Sequence, residues 1–214
     1  MQHKPITEEI SEQQHRGVLL ILTGPSGSGK DTVIAKLAER DPTAIKVITT
    51  TSRSMREIER EGEPYYFIKR EEFEQLIANE AFFEWVEFRG ELYGTQKKTL
   101  MDAIDTGKNV IWKIEAKGVK NIKDKIKQML PRSVFVYLTA PSIAVLKQRV
   151  FAVEGEERAH LRWNESLVVW EMKQYQDSEY LVVNEDDKLD TAVTEILSIV
   201  EAKRREVLTS EKLS

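Results

Sequence analysis

The apolar run Val18-Leu19-Leu20-Ile21-Leu22 leads directly into Gly24-Pro25-Ser26-Gly27-Ser28-Gly29-Lys30-Asp31-Thr32, and then into an amphipathic stretch that continues to Ala38. Little else in a chain restricts its fold as much: a buried strand must end in a glycine-rich loop that hands over to a helix. That arrangement wraps a row of backbone N–H groups around a polyphosphate at the start of the helix. The glycines permit backbone angles and close approaches that a Cβ would block, and Lys30 adds a point charge at the β- and γ-phosphates. The predicted ligand is a nucleoside triphosphate, held by Gly24, Pro25, Ser26, Gly27, Ser28, Gly29, Lys30, Asp31 and Thr32. One letter departs from the usual pattern, because the residue after the lysine is normally Ser or Thr, whose hydroxyl coordinates Mg²⁺. Here it is Asp31, read either as a Mg²⁺ ligand or as a helix N-terminal carboxylate favoured by the dipole.

Composition restricts the remaining possibilities. The 214 residues suit one domain with inserts, and 41% apolar content supplies a substantial core. The 32 Lys and Arg against 36 Asp and Glu leave a net charge of −4, which gives no broad field for nucleic acid or an anionic membrane. No cysteine is present, so disulfides and thiolate metal sites are excluded. His3, His15 and His160 show no metal or triad spacing. A cytoplasmic protein is expected, with no membrane span and no signal peptide.

Short apolar runs then alternate with helical patterns: strands at Ile45–Ile48, Phe83–Phe88, Val110–Ile114, Val134–Leu138 and Tyr180–Val183, with helices starting near Glu71, Lys97, Val119, Ser142 and Leu189. This alternation predicts an α/β fold with a mainly parallel sheet flanked by helices. Residues 1–16 read as a flexible tail, 17–207 as the domain and 208–214 as a C-terminal tail. Two stretches break the rhythm, Thr49–Tyr65 and Phe151–Asn164, and read as inserts carrying a second substrate site and a lid. In the first, Arg53 and Arg56 are spaced to grip one phosphate, with Tyr65 and Tyr93 as hydroxyl donors. Neighbouring Glu57, Glu59, Glu61 and Glu63 give the competing reading of a solvated charge run. Trp85, Trp112, Trp163 and Trp170 read as packing residues.

Taken in order, Gly24 to Thr32, Thr51-Ser52-Arg53-Ser54-Met55-Arg56, Gly62-Glu63-Pro64-Tyr65-Tyr66-Phe67, Phe82-Phe83-Glu84-Trp85, Tyr93-Gly94-Thr95, Gly107-Lys108, Gly118-Val119, Ala140-Pro141-Ser142 and Val183-Asn184-Glu185-Asp186 resemble the guanylate kinases. The resemblance runs from about Gly17 to the final helix. It implies a P-loop nucleoside monophosphate kinase fold with a GMP-binding insert at about 49–95 and a lid at about 151–166, transferring a phosphoryl group from ATP to GMP with Mg²⁺. It further implies that Thr49, Arg53, Arg56, Tyr65 and Tyr93 surround the GMP phosphate. Glu84, Thr95 and Glu115 match positions that recognise guanine, Asn184 matches a position near adenine, and Lys30 and Arg149 match catalytic positions. The chemistry agrees with the guanine assignment, since guanine presents N1–H and N2–H donors to a carboxylate and O6 and N7 acceptors to a hydroxyl.

The pattern fails in two places. Guanylate kinases usually carry Asp-x-Asp after the strand Val110–Ile114, and this chain has Lys113 and Glu115. Lys113 either neutralises phosphate charge or offsets Asp31, and one arrangement left open is an Asp31–Lys113 pair with exchanged polarity across the metal site. In the lid, two positions where arginines are expected fall on Val153 and on or near Asn164, with Arg158 and Arg162 reachable only by a shifted alignment. Three readings follow: a GMP kinase, a guanylate kinase-like binding module without turnover, and a kinase for another phosphorylated acceptor.

Overall fold

The computed structural model describes residues 17–57 and 59–211. Residues 1–16, and with them His3 and His15, lie outside the described residues, as do 212–214. Two sheets organise the chain. The first is five-stranded and wholly parallel, in the order β10-β9-β1-β8-β2, built from β1 (Leu19–Thr23), β2 (Ile45–Lys46), β8 (Val110–Lys113), β9 (Ser133–Thr139) and β10 (Tyr180–Val183). β1 is central, with Leu19 in register with Val110 on one side and with Ser133 on the other.

A strand's side chains alternate between faces, and a parallel sheet must cover both. Val18, Leu20 and Leu22 pack with Val33, Ile34 and Leu37 of α1 (Lys30–Arg40) and with Val193, Ile196, Ile199 and Val200 of α8 (Leu189–Glu211). The intervening Leu19 and Ile21 join Trp112 and Phe135 on the other face, against Leu100 and Ile104 of α3 (Lys97–Asp105) and Val119, Ile122 and Ile126 of α4 (Ala116–Met129). The two faces of β1 are thus the centres of two separate cores, which is why every residue of Leu19–Thr23 is buried.

The second sheet has the order β4-β5-β3-β7-β6 and mixed directions, from β3 (Thr49–Thr51), β4 (Arg60–Glu61), β5 (Pro64–Phe67), β6 (Phe82–Phe88) and β7 (Glu91–Gln96), with α2 (Arg70–Ala78) on the chain between β5 and β6. The strand expected over Ile45–Ile48 is divided: Ile45–Lys46 pairs with β8 in the first sheet, and the chain crosses at Val47 to begin the second. Strands β3, β4 and β5 are short and polar or aromatic, so no apolar run announces them.

The charged stretch Phe151–Asn164, expected as an insert, is built mostly of helix. α5 (Ile143–Glu154) ends at Gly155, whose φ of 74° suits a residue without Cβ, and α6 (Glu156–Arg162) and α7 (Glu165–Lys173) follow. α8 continues to Glu211, past the boundary expected at 207. Of the tryptophans, Trp112 is fully buried, whereas Trp85 and Trp170 are 44% and 40% exposed and do not pack as expected.

Candidate active site

The loop that follows β1 is pinned by steric necessity. A Cβ on Gly24, at φ 145°, would lie 1.9 Å from the Leu138 carbonyl oxygen of the adjacent strand, so no other residue fits. Gly29, at φ 88°, is the N-cap of α1 and packs against Asn184. Asn184 follows β10, is 6% exposed, and donates from Nδ2 to the Ser28 carbonyl at 3.0 Å. It is therefore a brace behind the loop as well as a cleft residue. The Lys30 ammonium donates to the carbonyls of Gly24 (2.7 Å) and Pro25 (3.0 Å). Burial holds its pKa below the ordinary lysine value, with Glu115 and Glu171 acting against that shift.

One cleft of about 540 Å³ is lined by Ser26, Gly27, Gly29, Lys30, Asp31 and Thr32 on one wall and by Arg53, Arg56, Tyr65 and Tyr93 on the other. Glu115, Arg149 and Asn184 also line it, with Lys113 between the two walls. The second wall is assembled by register: Thr49 lies opposite Tyr65, and Thr51 opposite Tyr93. The Tyr65 and Tyr93 rings meet edge-on at 5.8 Å. Arg53 lies over Tyr65 and Phe67, 5.7 and 5.4 Å from their centroids, and donates to Glu59 Oε1 at 2.8 Å. Glu59 Oε2 accepts from the Arg56 backbone N–H at 2.8 Å, so one carboxylate fixes both arginine positions. Burial acts against ionisation of Glu59, and the bonds from Arg53 and Arg56 outweigh it, leaving its pKa lowered. Sequence reasoning counted Glu59 among the charges favouring a solvated run; its offset from the arginines was the only available signal.

Gly24, Pro25, Ser28, Thr49, Glu84 and Thr95 do not line this cleft. Glu84 borders a second cavity of about 310 Å³, beside Phe82, Phe83, Trp85, Asn121 and Ile122. Thr95 is completely buried and donates to Glu84 Oε1 at 2.8 Å, while its oxygen accepts from Trp112 Nε1 at 2.8 Å. Its single proton is thus committed to Glu84, which corrects the expectation of a hydroxyl turned toward a base. Thr95 positions the carboxylate. Burial raises the Glu84 pKa to about 7 despite that bond.

Lys113, the last residue of β8, pairs in register with Leu22 at the mouth of the loop. Its ammonium donates to Asp31 Oδ1 at 2.8 Å and stands 4.9 Å from the Tyr65 ring centroid. Burial opposes its charge, and Tyr65 and Asp31 outweigh that, so its pKa is raised. The Asp31 pKa is lowered: crowding by the cleft walls partly desolvates the otherwise exposed carboxylate and works against it, and Lys113, Lys30 and Lys46 prevail. An Asp31–Lys113 ion pair, the contact on which the exchanged arrangement depends, is therefore present. The same geometry tells against Asp31 as a metal ligand. Its Oδ1 is taken by the Lys113 ammonium, and the charges of Lys30 and Lys46 also act on the carboxylate. A carboxylate neutralised in this way is a poor fit for a divalent ion held by the protein.

Arg149 donates to Asp186 Oδ1 at 2.7 Å and to the Asn184 carbonyl at 2.8 Å, and its Nη1 is buried without a hydrogen-bond partner. Asp186 was not foreseen as its anchor. Val153 is 80% exposed at the cleft edge. Asn164, the other expected arginine position, caps α7 by accepting from the Leu167 N–H at 3.0 Å. The Arg158 and Arg162 side chains lie outside the described part of α6. His160 meets the Phe151 ring edge-on at 4.9 Å. A buried carboxylate that the sequence did not single out, Glu171, lies beneath the loop; burial raises its pKa to about 7, opposed by Lys30 and by a hydrogen bond from the Ser26 backbone.

The family model for guanylate kinase matches residues 16–203. A guanylate kinase of Carboxydothermus hydrogenoformans is 35% identical over 191 residues, covering 89% of this chain and 90% of that one. A guanylate kinase of Synechococcus is 36% identical over 178 residues, covering 83% and 94%. The crystal structure of guanylate kinase from Anaplasma phagocytophilum superposes with a TM-score of 0.68 at 28% identity, over 88% of this chain and 86% of that one. A gluconokinase from Sinorhizobium meliloti, at 16% identity and a TM-score of 0.51, shares the fold. Matched along nearly all of its described length in sequence and in architecture, the chain belongs to the guanylate kinase family.

Proposed function

We propose that this chain is an ATP-dependent GMP kinase. The observation that carries the reading is the single cleft in which a glycine-lysine phosphate loop faces Arg53, Arg56, Tyr65 and Tyr93. Two phosphorylated ligands bound to those walls would meet end to end. The loop N–H groups and Lys30 hold the β- and γ-phosphates of ATP. Arg53 and Arg56, fixed by Glu59, hold the phosphate of GMP, with the Tyr65 and Tyr93 hydroxyls beside it, while Thr49 sits behind Tyr65 through the strand register. A GMP phosphate oxygen attacks the γ-phosphorus in line, the bond from that phosphorus to the β,γ-bridging oxygen breaks, and ADP and GDP result. Arg149 is positioned to stabilise charge on the transferring group. The protein contributes alignment and neutralisation, with no covalent intermediate.

Guanine selectivity rests on Glu84, oriented by Thr95, with Glu115 at the start of α4. A carboxylate accepts from guanine N1–H and N2–H, and adenine offers the opposite polarity. The Mg²⁺ expected with ATP would travel on the nucleotide's own phosphates, since the Asp31 carboxylate is taken up by Lys113. The reading places the reaction in the cytoplasm, and among the described residues no helix is long and apolar enough to cross a membrane. One test decides between kinase and binding module: ADP formation from Mg·ATP with GMP, AMP, CMP or UMP as acceptor. GMP-selective turnover is expected; GMP binding without ADP formation would leave only the binding module.

A further inference from the structure

Lys113 belongs to both halves of the molecule. Its backbone closes the parallel sheet beside Leu22, and its ammonium reaches the Tyr65 ring of the second sheet while bonded to Asp31 on α1. The Lys113 side chain is only 9% exposed, whereas that of Asp31 is 67% exposed. A purely structural ion pair has no need to stand at the junction of two ligand walls, with its cation on the floor and its anion facing solvent. Lys30 and Lys46 also act on Asp31, so three lysine charges bear on that carboxylate in a chain of net charge −4. In the ordinary phosphate loop the residue after the lysine presents a hydroxyl to Mg²⁺. Here that place is taken by an anion already occupied with a fixed cation.

We propose that Asp31 and Lys113 form one phosphate-positioning unit, in which Asp31 holds the Lys113 ammonium between the ATP loop and the acceptor wall to neutralise phosphate charge that a protein-held divalent ion would otherwise meet. The inference rests on the kinase reading and adds a consequence to it. ATP should bind this protein nearly as well without Mg²⁺ as with it, because the cation that receives the phosphates is part of the chain. Lys113 makes the phosphate contact, and Asp31 acts through Lys113.

The experiment is calorimetric titration of ATP into the protein in EDTA and in Mg²⁺, with GMP-dependent ADP formation measured on the same samples. For the unaltered chain the two dissociation constants should agree within about threefold. Lys113→Ala should weaken Mg²⁺-free ATP by roughly tenfold or more, Lys113→Arg should retain most of the affinity, and Asp31→Ala added to Lys113→Ala should cost nothing further. The double exchange Asp31→Ser with Lys113→Asp should raise the preference for Mg·ATP to about thirtyfold; if it fails to fold, the Lys113→Ala and Lys113→Arg pair carries the test. An unaltered chain that phosphorylates GMP yet prefers Mg·ATP by tenfold or more, on the order of 1.4 kcal/mol, overturns this inference and leaves the kinase reading intact. Absence of ATP binding in both buffers overturns both.

Discussion

The two walls of the cleft are held by different physics. The ATP-loop wall is fixed by backbone: β1 is buried on both faces, Gly24 is pressed against the Leu138 carbonyl, and Asn184 clamps the Ser28 carbonyl from behind. The acceptor wall is fixed by side-chain charge: Arg53 and Arg56 depend on Glu59, on a second sheet whose strands β3, β4 and β5 are four residues or fewer. Backbone packing tolerates almost no substitution but needs no partner to be present. Charged bracing tolerates substitution gradually and can be retuned residue by residue. Damage to the first wall should therefore be read in stability, and damage to the second in affinity for one substrate.

The largest effect belongs to the first wall. Gly24→Ala places a Cβ at 1.9 Å from a backbone oxygen at a φ of 145°, and relief requires moving β1 against β9. We expect a loss of about 3 kcal/mol or more in unfolding free energy, together with loss of ATP binding, measured by denaturant titration and calorimetry.

Glu171 gives a second way to strain the same wall, this time through pH. It is 1% exposed, its Oε2 has no hydrogen-bond partner, and its pKa is raised to about 7. Between about pH 4.5, near the ordinary glutamate value, and pH 7 the folded chain binds a proton that the unfolded chain has released, so stability falls as pH rises through that window. Glu171→Gln removes the titration. The variant should match the unaltered chain near pH 4.5 and exceed it by up to about 3 kcal/mol at pH 8, followed by thermal melts across pH. A constant difference at all pH values would mean that Glu171 is ionised throughout.

The contrast between the walls also explains what the sequence disclosed. The parallel sheet, its helices and the phosphate loop were legible because buried strands must be continuous apolar runs and because glycine spacing has a steric cause, as at Gly24. The second sheet was not, since Thr49–Thr51 and Arg60–Glu61 are polar strands formed through pairing with β5 and β7 rather than through burial of a recognisable stripe. The arginines were legible as residues, while Glu59 as their brace and Asp186 as the anchor of Arg149 depend on contacts that no spacing rule encodes. Lys113 stood out as a reversed charge, yet only the fold brings it to Asp31, across 82 positions of sequence. Thr95 was assigned to a ligand because a hydroxyl's partner inside the protein, here Glu84, is invisible in sequence.

On the second wall, Arg56→Ala should raise the KM for GMP by about a hundredfold while changing that for ATP by less than about threefold, since a charge-assisted phosphate contact is lost from one substrate alone. Equal weakening of both substrates would mean that the walls are not separable and that Arg56 supports the cleft as a whole.

Glu59→Gln is the smallest perturbation and the sharpest test of that separation. Its side chain is 10% exposed and that of Arg53 is 14% exposed, so the pair is largely sheltered from solvent. Glutamine keeps an oxygen to accept from the Arg56 N–H, and loses the charge that orients the Arg53 guanidinium. Arg53 still rests on the Tyr65 and Phe67 rings and still donates to the Ser54 carbonyl at 2.7 Å, so it is loosened rather than released. A loosened phosphate donor keeps most of its Coulomb attraction and loses alignment, so GMP affinity should fall by about tenfold, near 1.4 kcal/mol, with a loss of melting temperature smaller than that of Gly24→Ala. Opposing that loss, removal of the carboxylate frees Arg53 from a competing anion and strengthens its pull on a phosphate. If that second effect dominates, GMP will bind more tightly to the variant than to the unaltered chain, and Glu59 acts as an internal competitor for the acceptor phosphate; a weaker binder identifies it as the brace on which the acceptor wall is built.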